Sequence, residues 1–344
     1  MKFVPILLVS VASAWAAADT GALTEANTGL GLAREGKYEL AITHYRAAIA
    51  SDPHLRGIYV NLGLAYMKLN KFPDAAVALE EAVKADPDGF QPRVLLGMSY
   101  YACRKFDAAA IHLKQAARQQ PDNMELRFKL AQSYLWSGKY PDATAEFRFL
   151  LTRDPDSGPV HMLLGDVLDA ANQTEQATAE FEAAVKASPL EPEVHFSLGY
   201  LYWKQKRFEE ACREFQAELA HHAGHLQALT YLGDAEMHAE REKEAEEHLR
   251  RALSLDSNIR LAHVDLGILL SNRGDSEEAA RHLREAIRMD PSKPDAHYRL
   301  GRLWRSLGRE ADADAEFAKV KELSREEPQA PLIKLPGQGS KQVP

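Results

Sequence analysis

Apolar and polar positions along this chain follow the period of an α-helix, and the pattern itself recurs every 34 residues. Alanine holds one phase nine times, at Ala41, Ala75, Ala109, Ala143, Ala177, Ala211, Ala245, Ala279 and Ala313. Twelve residues before each stands a small residue: Gly29, Gly63, Gly97, Ala131, Gly165, Gly199, Gly233, Gly267 and Gly301. Leucine precedes all of these except Gly29, which follows Thr28. Prolines close six units, at Pro53, Pro87, Pro121, Pro155, Pro189 and Pro291. Each unit therefore predicts two apolar-periodic helices of about a dozen residues. Turns such as Glu35-Gly36-Lys37, Ser137-Gly138-Lys139 and Arg273-Gly274-Asp275 split them. Proline, which lacks a backbone N–H, ends the second helix. The predicted fold class is all-α, an array of helix pairs that bury their apolar faces only by stacking.

Counted from residues 22, 56, 90, 124, 158, 192, 226, 260 and 294, the nine units run from 22 to 327. Repeat 2 places Tyr59, Leu62, Gly63, Tyr66, Ala75, Leu79, Ala82 and Pro87 in order. Repeat 4 places Leu130, Ala131, Tyr134, Ala143, Phe147 and Pro155. This resembles the tetratricopeptide repeat family, whose pattern is W-x2-L-G-x2-Y, then A-x3-F, then Pro. Departures are local: Ala223, Ser257 and Arg325 stand where proline would close repeats 6, 7 and 9. The resemblance implies a right-handed superhelical solenoid that lines a concave groove with its first helices.

At about 100° per residue, positions 4, 7, 8 and 11 of each first helix share one face, which packs. Positions 2, 5, 9 and 12 form a second stripe about 130° away, the one the family turns into its groove. In repeats 1 to 4 this stripe is mostly apolar, with Leu64, Met67, Met98, Tyr101, Phe128 and Leu135 among its residues, and Trp136 beside it. Asp166 and Asp169 interrupt it in repeat 5, and Phe196, Tyr200 and Trp203 form an aromatic group in repeat 6. Apolar residues left on a surface mark binding sites, and Met, Tyr and Trp suit peptide recognition. The expected function is a non-enzymatic scaffold or adaptor that holds a segment of a partner protein against these residues. The alternative is a glycan or lipid ligand in the aromatic part.

Arg299, Arg302 and Arg305 recur at i, i+3, i+6 in repeat 9 and form a candidate anion-binding set, since guanidinium forks hold carboxylates. The competing expectation is a solvated face on which Asp295 and Arg299 pair at i,i+4. No repeat has Lys at position 5 or Asn at position 9, so the chaperone-type carboxylate clamp known in the family is not expected.

Composition adds limits. The chain carries 42 Lys and Arg against 50 Asp and Glu, a net charge of −8, which argues against nucleic-acid binding. Lys2, the apolar run Phe3 to Val11 and the small residues ending at Ala18 predict a signal peptide over 1–18, too short for the ~20 residues of a membrane span. A periplasmic or secreted protein is expected from it. Cys103 and Cys212 fall three repeats apart and are not expected to form a disulfide with each other. His161, His195, His263 and His297 all occupy position 4 and are expected to pack as core. His221, His222 and His225 lack the companions of a metal site, and no metal or other cofactor is expected. No H-E-x-x-H, C-x-x-C, G-x-S-x-G or P-loop occurs. The proline-rich stretch 328–344 is expected to be disordered or, through Pro331 to Leu335, to cap the last helix, an end that is also a candidate for self-association.

Overall fold

A computed structural model describes residues 20–326; the signal-peptide and tail expectations lie outside the described residues. Among the described residues there are eighteen helices and no strand. None of these helices is long and apolar enough to cross a membrane. They fall into two units divided between Pro155 and Asp156.

The first unit contains α1 (Thr20–Arg34), α2 (Tyr38–Ser51), α3 (Ile58–Lys68), α4 (Phe72–Ala85), α5 (Phe90–Ala102), α6 (Phe106–Gln119), α7 (Met124–Trp136) and α8 (Tyr140–Leu151). The second contains α9 (Gly158–Ala170), α10 (Thr174–Ala187), α11 (Val194–Lys204), α12 (Phe208–His221), α13 (Leu226–His238) and α14 (Glu242–Leu255). It continues with α15 (Arg260–Arg273), α16 (Ser276–Met289), α17 (Pro294–Ser306) and α18 (Glu310–Glu326). Odd- and even-numbered helices pair within each repeat, each pair packs on the next inside its unit, and successive odd helices also touch.

The residues that repeat in the sequence are those that hold each pair together. All nine phase alanines are fully buried. Opposite them the first helix comes so close that a Cβ on Gly63 would lie 2.5 Å from Leu79 Cγ, and one on Gly267 2.6 Å from Leu283 Cγ. The turn between paired helices is equally periodic. Its fifteenth-position residue has positive φ in every repeat: Gly36, Asn70, Arg104, Gly138, Asn172, Lys206, Glu240, Gly274 and Gly308. Glycine and asparagine take this left-handed conformation readily. Arg104, Lys206 and Glu240 adopt it because the following backbone N–H bonds back to the helix, as Lys105 N does to Tyr100 O at 2.9 Å.

Candidate functional site

In the second unit the face carried by the first helices gathers rings from two repeats. Phe196, Tyr200 and Trp203 lie on α11, and Tyr231 on α13 closes the group. Tyr231 stands 5.2 Å from Tyr200 and 5.0 Å from Trp203, both edge-on, while Tyr200 stacks on Trp203 at 5.7 Å. Beneath them Phe215 of α12 is fully buried and supports Phe196 at 5.8 Å and Tyr231 at 6.1 Å. His225 tilts against Phe196 at 4.9 Å. Phe196, Tyr200, Trp203 and Tyr231 are all half-buried. Tyr231 was missed because it occupies position 6. Extending the stripe to positions 6 and 13 of the following repeat would have found it.

Polar groups fix this cluster. The Trp203 indole N–H donates to Asp234, whose carboxyl burial pushes above the usual range, against the effect of that bond. Burial pushes the Tyr231 hydroxyl up to about 12, so it stays a neutral donor. Asp169, which interrupts the apolar stripe in sequence, is buried and paired with Lys204 of the next first helix.

The first unit carries a smaller ring group. Tyr101 meets Phe106 edge-on at 5.4 Å, and Phe106 leads to Trp136 at 6.4 Å. Trp136 is 42% exposed, and Met67, Met98, Tyr101 and Phe128 are half-buried. Lys129 sits over the Tyr101 ring at 4.8 Å. Two expected contact residues need correction: Leu64 is only 5% exposed and Leu135 7%. Neighbouring first helices pack on one another, α3 on α5 and α5 on α7. Part of the stripe is thereby covered and becomes interior.

Repeats 8 and 9 differ in charge. The expected Asp295–Arg299 pair does not form, because Asp295 is held by both terminal nitrogens of Arg260. Among the described residues neither Arg299 nor Arg302 has an ion-pair partner, whereas Arg305 lies 3.3 Å from Asp314 and 3.8 Å from Glu310. Asp265 on α15 is 3% exposed, and its Oδ2 has no hydrogen-bond partner. Burial, with Asp234 and Asp295 adding to it, raises its pKa well above the ordinary aspartate value, while Arg299 pulls the other way.

The position-4 histidines lie in the interior as expected, His263 and His297 at 8% exposure, and they also meet position 23 on the second helix, 19 residues on. His161–Glu180, His195–Glu214 and His297–Glu316 approach to 2.6, 2.7 and 2.6 Å. Glu25–His44 reverses the couple at 2.6 Å, and Arg127–Glu146 replaces it at 2.6 Å. His263 instead faces His282, nitrogen to nitrogen at 2.8 Å. His222 and His225 are held by Glu218 and Glu193, at 2.8 and 3.0 Å. Among the described residues no group of three or more His, Cys, Asp or Glu is placed to hold a metal ion. Cys212 is buried as expected, and both cysteines are free thiols.

Comparison with known proteins agrees with the helix-pair frame. The structure of pilF from Pseudomonas aeruginosa superposes with TM-score 0.51 at 19% identity, over 59% of this chain and 93% of that one. A tetratricopeptide repeat protein from Parabacteroides merdae gives 0.50 at 13%, over 73% and 99%. YrrB, described as a TPR protein with an unusual peptide-binding site, gives 0.45 at 21%, over 52% and 93%. No curated protein matches the chain. The family description "Tetratricopeptide repeat" matches residues 60–123, 162–220, 208–258 and 264–331, with a further description of the same name over 101–167 and "TPR repeat" over 29–70. The first alone spans more than half of the sequence, and so the chain belongs to the tetratricopeptide repeat family.

Proposed function

We propose that this protein is an exported, non-enzymatic interaction scaffold that docks a segment of a partner protein on its first-helix face. The main contact area is the Phe196–Tyr200–Trp203–Tyr231 cluster, and the Met98–Tyr101–Trp136 patch of the first unit is a second. The observation that carries this is the cluster itself: four half-buried aromatic side chains outside a core already filled by Phe215 and the phase alanines. Rings lose little conformational entropy on binding and offer an apolar body with a polar edge, which suits a side-chain anchor. The signal-peptide pattern in 1–18 is what supports export, and the acidic net charge is what disfavours nucleic acid as the partner.

Replacing Phe196 and Tyr200 together by Ala removes half of the cluster and leaves the Trp203–Asp234 bond and buried Phe215 in place. Co-purification of the native partner should then weaken by about tenfold or more, in line with loss of an aromatic hot spot. Helicity and melting serve as controls. Undiminished capture by a folded variant would refute the assignment. Loss of binding to a glycan or lipid array, with protein capture unchanged, would favour the small-ligand alternative.

A further inference from the structure

Repeat 9 carries two arginines, Arg299 and Arg302, that make no ion pair among the described residues, unlike Arg305 beside them. On one side of Arg302 a cleft of about 180 Å³ runs between α15 and α17, lined by Ile268, Ser271, Asn272, Arg299, Leu303 and Ser306. On the other side an open depression of about 600 Å³ is lined by Tyr298, Arg305, Ser306 and Phe317. Arg302 belongs to both. Tyr298 and Phe317 face one another at 6.0 Å, and Arg305 lies over the Phe317 ring at 4.5 Å, so an apolar wall adjoins the cationic edge.

Charge is unbalanced here. Asp295, the natural helical partner of Arg299, is occupied by Arg260. Among the described residues Arg302 makes no ion pair, and it is solvent-exposed. The carboxyl that acts on Arg299 through space is Asp265, which burial drives toward its neutral form. The two serine hydroxyls are engaged, Ser271 donating to Gly267 O at 2.6 Å and Ser306 to Leu303 O at 2.8 Å. The Asn272 amide and two guanidinium groups remain as donors around a narrow cleft. Donors without acceptors call for an anion, and the neighbouring rings call for an apolar group beside it.

We propose that the cleft and depression flanking Arg302 hold an Asp or Glu side chain of a partner segment together with its apolar neighbour. The proposal rests on the protein-docking function above and names the chemistry of the partner. An acidic peptide fits better than a continuous polyanion. The chain carries a net charge of −8, which an extended phosphate backbone would meet along its length. A protein segment places its charge locally.

The test pans a phage-displayed library of random dodecapeptides on the full-length chain. Selected clones should carry Asp or Glu beside an aromatic or aliphatic residue and should weaken as salt rises. Against Arg302→Glu they should lose roughly tenfold to hundredfold in affinity, the scale of a charge-assisted contact. Arg302→Gln should lose less. Because Arg302 is exposed and unpaired, neither variant should shift the melting temperature. Clones without acidic bias that bind Arg302→Glu as well as wild type overturn this proposal and leave the docking function standing. No enrichment at all overturns both. Displacement of the selected clones from wild type by a single-stranded thymidine oligonucleotide, lost in Arg302→Glu, would assign the site to nucleic acid and overturn it as well.

Discussion

Phe215→Ala should lower the unfolding free energy by about 3–5 kcal/mol, the range for emptying a buried aromatic position. Phe215 is fully buried on α12, and its ring edge fills the space left by Gly199, where a Cβ would sit 2.9 Å from two of its carbons. Phe196 and Tyr231 rest on the same ring. The aromatic face should therefore loosen together with the core, and binding should fall with stability. In a repeat protein the loss falls mainly on one unit and its neighbours. Urea unfolding followed by Trp203 fluorescence should thus shift more than unfolding followed by Trp136. Phe215→Leu, which keeps most of the volume, should recover more than half of the loss. A change under about 1 kcal/mol for the alanine variant would mean that the site repacks freely.

Asp265→Asn should stabilise the protein near pH 7.5 by about 1–3 kcal/mol, the cost of a buried polar group left unsatisfied. The sign follows from linkage. The folded-state proton affinity of Asp265 is raised, so the native chain holds this proton over a range where the unfolded chain has released it. Wild-type stability then falls as pH climbs from the ordinary aspartate value, about 3.9, up to the raised one. The asparagine variant lacks that slope. Denaturation curves at stepped pH should show the two proteins converging toward acid and separating as pH increases. Parallel curves would mean that Asp265 titrates alike in the folded and unfolded chain, and a wild type that gains stability relative to the variant as pH rises would mean that it is ionised and paired.

The helix pairs were legible because a 34-residue period constrains every level at once. Ala75 is small where the packed interior leaves it no exposure at all, and Asn70 or Gly36 marks the turn because the chain needs positive φ at that point. Much of the ring cluster was legible as well: the angle between positions 4 and 5 on one helix separates Phe196 and Tyr200 from the packing side. What a single helix cannot reveal is how far the next helix covers it. Leu64 and Leu135 occupy the right angle and are buried all the same. Tyr231 occupies a less favoured angle and joins the rings, because α13 leans on α11. Contacts across repeats escaped for the same reason. Asp295 lies four residues from Arg299 in sequence, yet it bonds Arg260, 35 residues away. Helical angle puts the position-4 histidines on the packing face but does not show the acidic partners that three of them meet 19 residues on, such as Glu180 for His161, which stand in the sequence as a second period.

The central claim, that the first-helix face of the second unit receives a partner segment, is tested most directly by position-resolved photo-crosslinking in the native compartment. A photoreactive amino acid is placed in turn at Tyr200, at Arg302 and at exposed Arg213 on α12, and the adducts are mapped by mass spectrometry. Tyr200 and Arg302 should yield adducts to one and the same partner, with acidic residues near the Arg302 attachment point, and Arg213 should yield none. Equal labelling from Arg213, or no adduct from either face position, would contradict the account.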